Sequence, residues 1–358
     1  MMTVSPSFQK LQRFCAMAAL TACLAPSLVH GADHAGFAGY DRFDVKADHR
    51  SGLLAASVWY PAGTRTYVAP VGNGPVFQPT QALIGAGVRD GAYPLIVLSH
   101  GSGGNMDSLG WLSSELAKRG AMVVAVNHPG STSGDSSPRR SARFAERVWD
   151  LSAAIDHVLN DPAYAAFIQE NRIYTLGFSL GGITALQSVG LEFEARRLGD
   201  YCAENPSAPG CDFYGSGGVD FRKVDFNLTD GNFADPRVAG TISIDPGFPS
   251  AFTQSSMDQM KKPTLLINLG SQDTIWREVN VGENGAQLAS RLPDADLVEI
   301  SPATHFSFLG LCKPEGAKIL REEHDDPVCD EPTGADRAEV HRRVIRAVSG
   351  FLDLSSPH

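Results

Sequence analysis

The stretch Ile173–Gly182, IYTLGFSLGG, decides the fold. An apolar run from Ile173 to Leu176 reads as a buried strand, and it gives way at once to Gly177-Phe178-Ser179-Leu180-Gly181-Gly182. Helical spacing then starts at Ser179 and runs to about Val189. A strand that becomes a helix over so few residues needs a very sharp turn. Gly177 and Gly181 suit that turn because strand and helix nearly touch, and a Cβ would collide. The turn pushes the Ser179 hydroxyl out of the packed chain, with the free N–H groups of a helix N-terminus behind it. This is how a catalytic nucleophile is presented; a Ser/Gly-rich helix start without chemistry is the plainer alternative. The similar Gly130-Ser131-Thr132-Ser133-Gly134 has Thr at its centre and no apolar strand feeding it, so it reads as loop.

Outward from this turn, strand-like and helix-like segments alternate. Leu53–Tyr60, Pro94–Ser99 and Met122–Val126 read as strands before it; Ala239–Ile244, Thr264–Leu269 and Leu297–Ile300 read as strands after it. Helical spacing marks Asp107–Arg119, with Gly120 to cap it, and Phe144–Leu159, with Val148, Leu151, Ile155 and Val158 on one face. Arg337–Leu354 reads as a closing helix, and residues 62–92 and 129–142 as loops. The alternation predicts an α/β fold with a mostly parallel central sheet and helices on both faces. Residues 191–236 break the pattern. They are too long for a structureless loop, so they read as an inserted cap or lid. Their aromatics, Phe193, Tyr201, Phe213, Tyr214, Phe221, Phe226 and Phe233, suit either an apolar pocket wall or the lid's own small core.

Composition narrows the function. The chain has 358 residues, with 43% hydrophobic and 20% charged, which is globular. A net charge of −10 argues against nucleic acid as a partner. Residues 1–31 hold Lys10, Arg13 and no acid, then an apolar run from Phe14 to Val29 broken by Pro26. This reads as a signal peptide of a secreted or periplasmic protein, too short and broken for a stable membrane span. Leu20-Thr21-Ala22-Cys23 offers a lipoprotein alternative through Cys23, against which the following residues stay apolar. The remaining 327 residues would form one domain with 28 bases against 40 acids, a net charge of −12. Four cysteines remain with them. Cys202–Cys211 and Cys312–Cys329 are nearest in sequence and are expected as two disulfides. A zinc site is the alternative, but the spacing does not support metal.

The other parts of an acyl-transfer site can be assigned. His100-Gly101-Ser102-Gly103-Gly104 follows the strand 94–99, and its glycines let the backbone approach a reacting carbonyl. The N–H groups of Ser102 and Leu180 are the candidate oxyanion hole. A phosphate-binding loop is the competitor, but no Gly-Lys-Ser/Thr follows. His100 reads as a residue that holds the turn, and His128 in Asn127-His128-Pro129-Gly130 is ambiguous. Ser179 needs a histidine as base, and His305 follows the last strand. His324 and His341 lie in a charged stretch and a helix, where a solvated role is expected. The acid that orients His305 is Asp273, in a Gly-containing turn after the strand 264–269, with Asp245, after the strand 239–244, as the alternative.

Ser, Asp and His in this order, with a glycine-rich oxyanion loop, resemble the α/β-hydrolase superfamily over roughly residues 53–355. PLIVLSHGSGGN (94–105), NHPG (127–130), GFSLGG (177–182) and ATHFSFLGLC (303–312) look like the bacterial dienelactone-hydrolase-like group. That group is related to platelet-activating-factor acetylhydrolases and to secreted esterases and cutinases. The resemblance implies a serine hydrolase acting on carboxylic esters, small or lipid-like, without cofactor. An amidase or peptidase with the same triad, or a binding protein on the same fold, is the alternative. Authentic dienelactone hydrolases use a Cys where Ser179 stands, so the group label does not give the substrate. The platelet-activating-factor enzymes take their acid from the earlier strand, which keeps Asp245 in play.

Overall fold

The computed structural model describes residues 36–271 and 274–355; the expected leader with Cys23 lies outside them, as does Asp273. Ten strands form one sheet: β1 (Gly39–Val45), β2 (Leu54–Tyr60), β3 (Val68–Val71), β4 (Thr80–Ile84), β5 (Tyr93–Ser99), β6 (Met122–Val126), β9 (Ile168–Phe178), β10 (Val238–Ile244), β11 (Thr264–Leu269) and β12 (Ala295–Ile300). Between β6 and β9, β7 (Ser131–Thr132) and β8 (Asp135–Ser136) form a small separate hairpin. The order across the large sheet is β12-β11-β10-β9-β5-β6-β2-β1-β4-β3. From β12 to β6 every pairing is parallel, and β2 then pairs antiparallel to β6.

The helices are α1 (Gly110–Lys118), α2 (Pro138–Ser141), α3 (Phe144–Asn160), α4 (Leu180–Gln187), α5 (Ala195–Glu204), α6 (Pro209–Ser216), α7 (Gln254–Gln259), α8 (Leu288–Arg291), α9 (Gly316–Glu323) and α10 (Arg337–Phe351). Two cores explain why the central strands are apolar throughout. Leu95 and Val97 of β5 pack with Leu151 and Ile155 of α3 and Ile183 and Leu186 of α4. Ile96 and Leu98 belong to the other core, with Leu112 and Leu116 of α1 and Val344 and Val348 of α10. Successive residues of a strand point to opposite faces, so a strand covered on both faces must be apolar at every position. Each such side chain contributes about 1.5–3 kcal/mol on burial.

The sequence expectation fails mainly at the sheet's far edge. Residues 62–92 were expected as loop, but they hold β3 and β4. β3 is the edge strand and carries Pro70, which is tolerated there because an edge strand has one unpaired side. β1 also escapes sequence reasoning, because Asp41, Arg42 and Asp44 dilute its apolar signal.

Candidate active site

The site forms where parallel strands point their carboxyl ends. β5 has β6 on one side and β9 on the other, so the connections diverge there, and the crevice above such a point is where open α/β sheets bind ligands. Ser179 sits directly after β9, with φ 56° and ψ −117°. That left-handed backbone is costly for a serine and persists because its neighbours enforce it. The Ser179 N–H donates to the Ile244 carbonyl at 3.0 Å, and the Ser179 carbonyl accepts from Gly247 at 3.2 Å. The close approach is extreme at two glycines. A Cβ on Gly177 would lie 1.8 Å from the Gly181 oxygen, and one on Gly181 would lie 2.0 Å from the Ser99 oxygen.

His305 begins the short 3-10 turn His305–Phe308 after β12. Its Nε2 lies 3.1 Å from Ser179 Oγ, and its Nδ1 lies 2.9 Å from Asp245 Oδ2. The imidazole is held between two rings, Phe178 at 4.6 Å and Trp276 at 4.7 Å between centroids. Asp245 is wholly buried. Its Oδ1 accepts from Asn268 Nδ2 at 3.0 Å and from the Leu269 N–H at 2.9 Å.

The alternative acid therefore occupies the place expected for Asp273. Strand order is what differs: β10 lies beside β9, which leads into Ser179, while β11, after which Asp273 comes in the sequence, lies one strand further out. Asp245 also takes a positive φ of 42°. Asn268, which fixes Oδ1, was not singled out in the sequence; one Asn inside an apolar strand was the available signal.

The glycine-rich loop 101–104 lies against Ser179. A Cβ on Gly101 would come within 3.3 Å of both Ser179 Cβ and the Phe178 oxygen. Among the described residues no acceptor pairs with the N–H of Ser102 or of Leu180. The stretch expected as mere loop, Ser131–Ser133, braces this segment: Gly103 N–H donates to Ser131 at 2.9 Å and Ser133 N–H donates to Gly104 at 2.8 Å. His100 is fully buried, and its Nδ1–H donates to the Gly101 carbonyl at 2.7 Å. His324 is exposed, as expected. His341 is not solvated: it is buried, stacked flat on Trp111 at 3.6 Å, and its Nε2–H donates to the Leu309 carbonyl.

The insertion 191–236 carries α5, α6 and the short turn Phe226–Leu228. Phe193, Tyr214 and Phe221 pack on Phe144 of α3, so these aromatics form a core rather than a pocket wall. Glu278 joins the insertion to the site, its Oε1 accepting from the Gly210 N–H of α6 at 3.5 Å. Its backbone carbonyl accepts from Phe248 N–H, beside the Asp245 turn, and burial raises its carboxyl above the usual range. Cys202 with Cys211 and Cys312 with Cys329 are bonded, with Cα atoms 5.2 and 5.9 Å apart. Among the described residues no helix is long and apolar enough to cross a membrane, and no group of three His, Cys, Asp or Glu is placed to hold a metal.

Residues 96–314 match the family described as "Alpha/beta hydrolase family". Two curated proteins of Thermobifida fusca, "Cutinase cut1" and, from strain YX, "Cutinase", are each 27% identical over 176 residues. The match takes in 48% of this chain and 49% of theirs, so the chain spans about half the length of the curated relatives it matches. Among solved structures, a ferulic acid esterase from Streptomyces cinnamoneus is similar with a TM-score of 0.57 at 19% identity, covering 90% of each chain. That likeness concerns the fold.

Proposed function

This chain belongs to the alpha/beta hydrolase family, and from that premise we propose that it is a secreted serine hydrolase that cleaves carboxylic esters. One observation carries the reading: Asp245, His305 and Ser179 form an unbroken hydrogen-bonded chain at the carboxyl ends of the sheet. In the acylation step Ser179 Oγ attacks the ester carbonyl while His305 Nε2 takes its proton. The carbonyl oxygen becomes an oxyanion, held by the N–H groups of Ser102 and Leu180, each donor being worth about 3–4 kcal/mol. Asp245 fixes the Nδ1–H tautomer of His305 and stabilises the imidazolium. The same proton then passes to the leaving alcohol. Water, deprotonated by His305, attacks the acyl-enzyme and frees the acid and Ser179.

The curated relatives, both named cutinases, favour an ester over an amide bond. The insertion 191–236 would act as the cap over the site. The two disulfides support export, and the leader expected at 1–31 agrees with it. A fluorophosphonate should label the Ser179 peptide, and p-nitrophenyl esters should turn over far faster than matched anilides. Full ester turnover in Ser179→Ala would end the reading.

A further inference from the structure

Beneath the oxyanion loop lies a buried charge network that the steps above do not use. Arg147 of α3 is 2% exposed. Burial lowers its pKa to about 9, so it stays charged at neutral pH. Its guanidinium donates to the His100 carbonyl, to Ser99 Oγ at 3.1 Å, to Ser131 Oγ and to Thr184 Oγ1 at 3.0 Å. Among the described residues no carboxylate bonds to it directly.

Its counter-charge is reached through two neutral groups. Asp150, one turn along α3, is fully buried and accepts from His128 Nδ1–H at 2.8 Å. With that proton on Nδ1, His128 Nε2 accepts from the Ser99 hydroxyl at 2.9 Å. Ser99 Oγ then has a lone pair for Arg147. Every proton in the series Arg147, Ser99, His128, Asp150 points the same way, toward the carboxylate. Ser99, His128 and Asp150 thus repeat the wiring of a nucleophile, base and acid, but all three are fully buried, so no substrate reaches them.

We propose that Arg147 is a positioning residue for the oxyanion hole. It holds the start of the loop by the His100 carbonyl, braces it through Ser131, and ties both to the nucleophile helix through Thr184. The argument is mechanical. A segment with glycines at 101, 103 and 104 has high conformational freedom, and an oxyanion hole works only if its donors are fixed before the reaction. A planar guanidinium with five donors can fix the end of β5, the bracing loop and α4 relative to one another; a lysine ammonium cannot. The desolvated charge is kept in place by Asp150, itself held by Arg50 Nε at 2.9 Å and by His49 Nε2 at 2.7 Å.

This role rests on the ester-hydrolase reading, and the experiment separates the two. The wild type, Arg147→Lys and Ser99→Ala are compared for kcat, KM, affinity for a phenylboronic acid, and melting temperature. Ser99→Ala cuts the series without removing the cation, and decides the question if Arg147→Lys does not fold. Expected is a kcat loss of about 100-fold in Arg147→Lys and about 10-fold in Ser99→Ala, with KM within about threefold. Boronate affinity should fall in parallel with kcat, because the tetrahedral adduct needs the hole. A merely structural role would lower the folded fraction and leave kcat per folded molecule intact. Wild type without Ser179-dependent ester turnover would overturn the functional reading and this role together. Normal wild-type turnover, with kcat and boronate affinity unchanged in the folded variants, would overturn this role alone.

Discussion

Asp245 carries two demands on one carboxylate: Oδ1 is held by Asn268 and Leu269, and Oδ2 faces His305. Removing it leaves the imidazole free to take the wrong tautomer. Asp245→Ala is therefore expected to lower kcat by about 10³–10⁴-fold, while Asp273→Ala leaves it within about twofold. Ester kinetics on the two variants check this, and an active Asp245→Ala would refute the assignment. Asn268→Ala frees Oδ1 from one donor and should cost less, about 10-fold, with the same substrate affinity. Ser179 and His305 could be found in the sequence because each has a local signature: a glycine-flanked turn between strand and helix, and a histidine after the last strand. The acid has no such signature. Asp245 and Asp273 each come after an apolar strand in the sequence, and only the lateral order of strands, which no local pattern encodes, puts β10 and not β11 beside β9.

The element that carries His305 shows what it takes to hold one side chain still. His305 lies in a turn whose ends are closed by Thr304 and Ser307, and Ser307 Oγ donates to Glu331 Oε2 at 2.5 Å. Arg337, at the start of α10, binds Glu331 and donates to the carbonyls of Gly310 at 2.9 Å and Val328 at 2.6 Å. It is 6% exposed, so Arg337→Ala strands Glu331 and two carbonyls. The expected loss is about 3 kcal/mol of stability, read by urea unfolding, together with reduced kcat as the His305 turn loosens. Unchanged stability would show that the tether is slack. The turn at Ser179 behaves differently, because its constraint is steric. Gly181→Ala would press a methyl on the Ser99 carbonyl, and soluble folded protein is not expected. At this scale the apolar strands and amphipathic helices were visible because two-sided burial makes them continuous or periodic. β3 and β4 were not, because both are short and partly exposed and Pro70 and Gly72 read as turn residues.

For the molecule as a whole, the consequence of all this burial is sensitivity to mild acid. Burial pushes His128 down to about 3 and His341 down to about 4, and holds His100 well below its usual value. In the unfolded chain each takes a proton near pH 6.5. Between that value and the folded one, the unfolded state binds more protons, so stability rises with pH. The contribution is complete above about pH 6.5 and is lost as pH falls toward 4 and 3. Asp150 acts in the same direction at lower pH. Burial pushes its carboxyl up, but bonds from His128, His49 and Arg50 outweigh this and hold it well below the usual range. Its share is present above about pH 3.9 and lost below that. Opposing both, acidification relieves the repulsion of a net charge of −10, a surface effect that salt screens. Composition gives the charge but not the burial, and a histidine in a polar helix such as His341 reads as solvated until Trp111 is seen against it. At constant ionic strength, the melting temperature should stay level from pH 7.5 to about 6.5 and then fall toward pH 5. The cost at pH 5 is on the order of 2 kcal/mol each for His128 and His341. His341→Gln should flatten the curve by one proton, about 1.4 kcal/mol per pH unit, while losing the stack on Trp111 at every pH. A melting temperature that does not change over this range would mean that these histidines are protonated in the folded state, and that the proton order drawn through His128 is wrong.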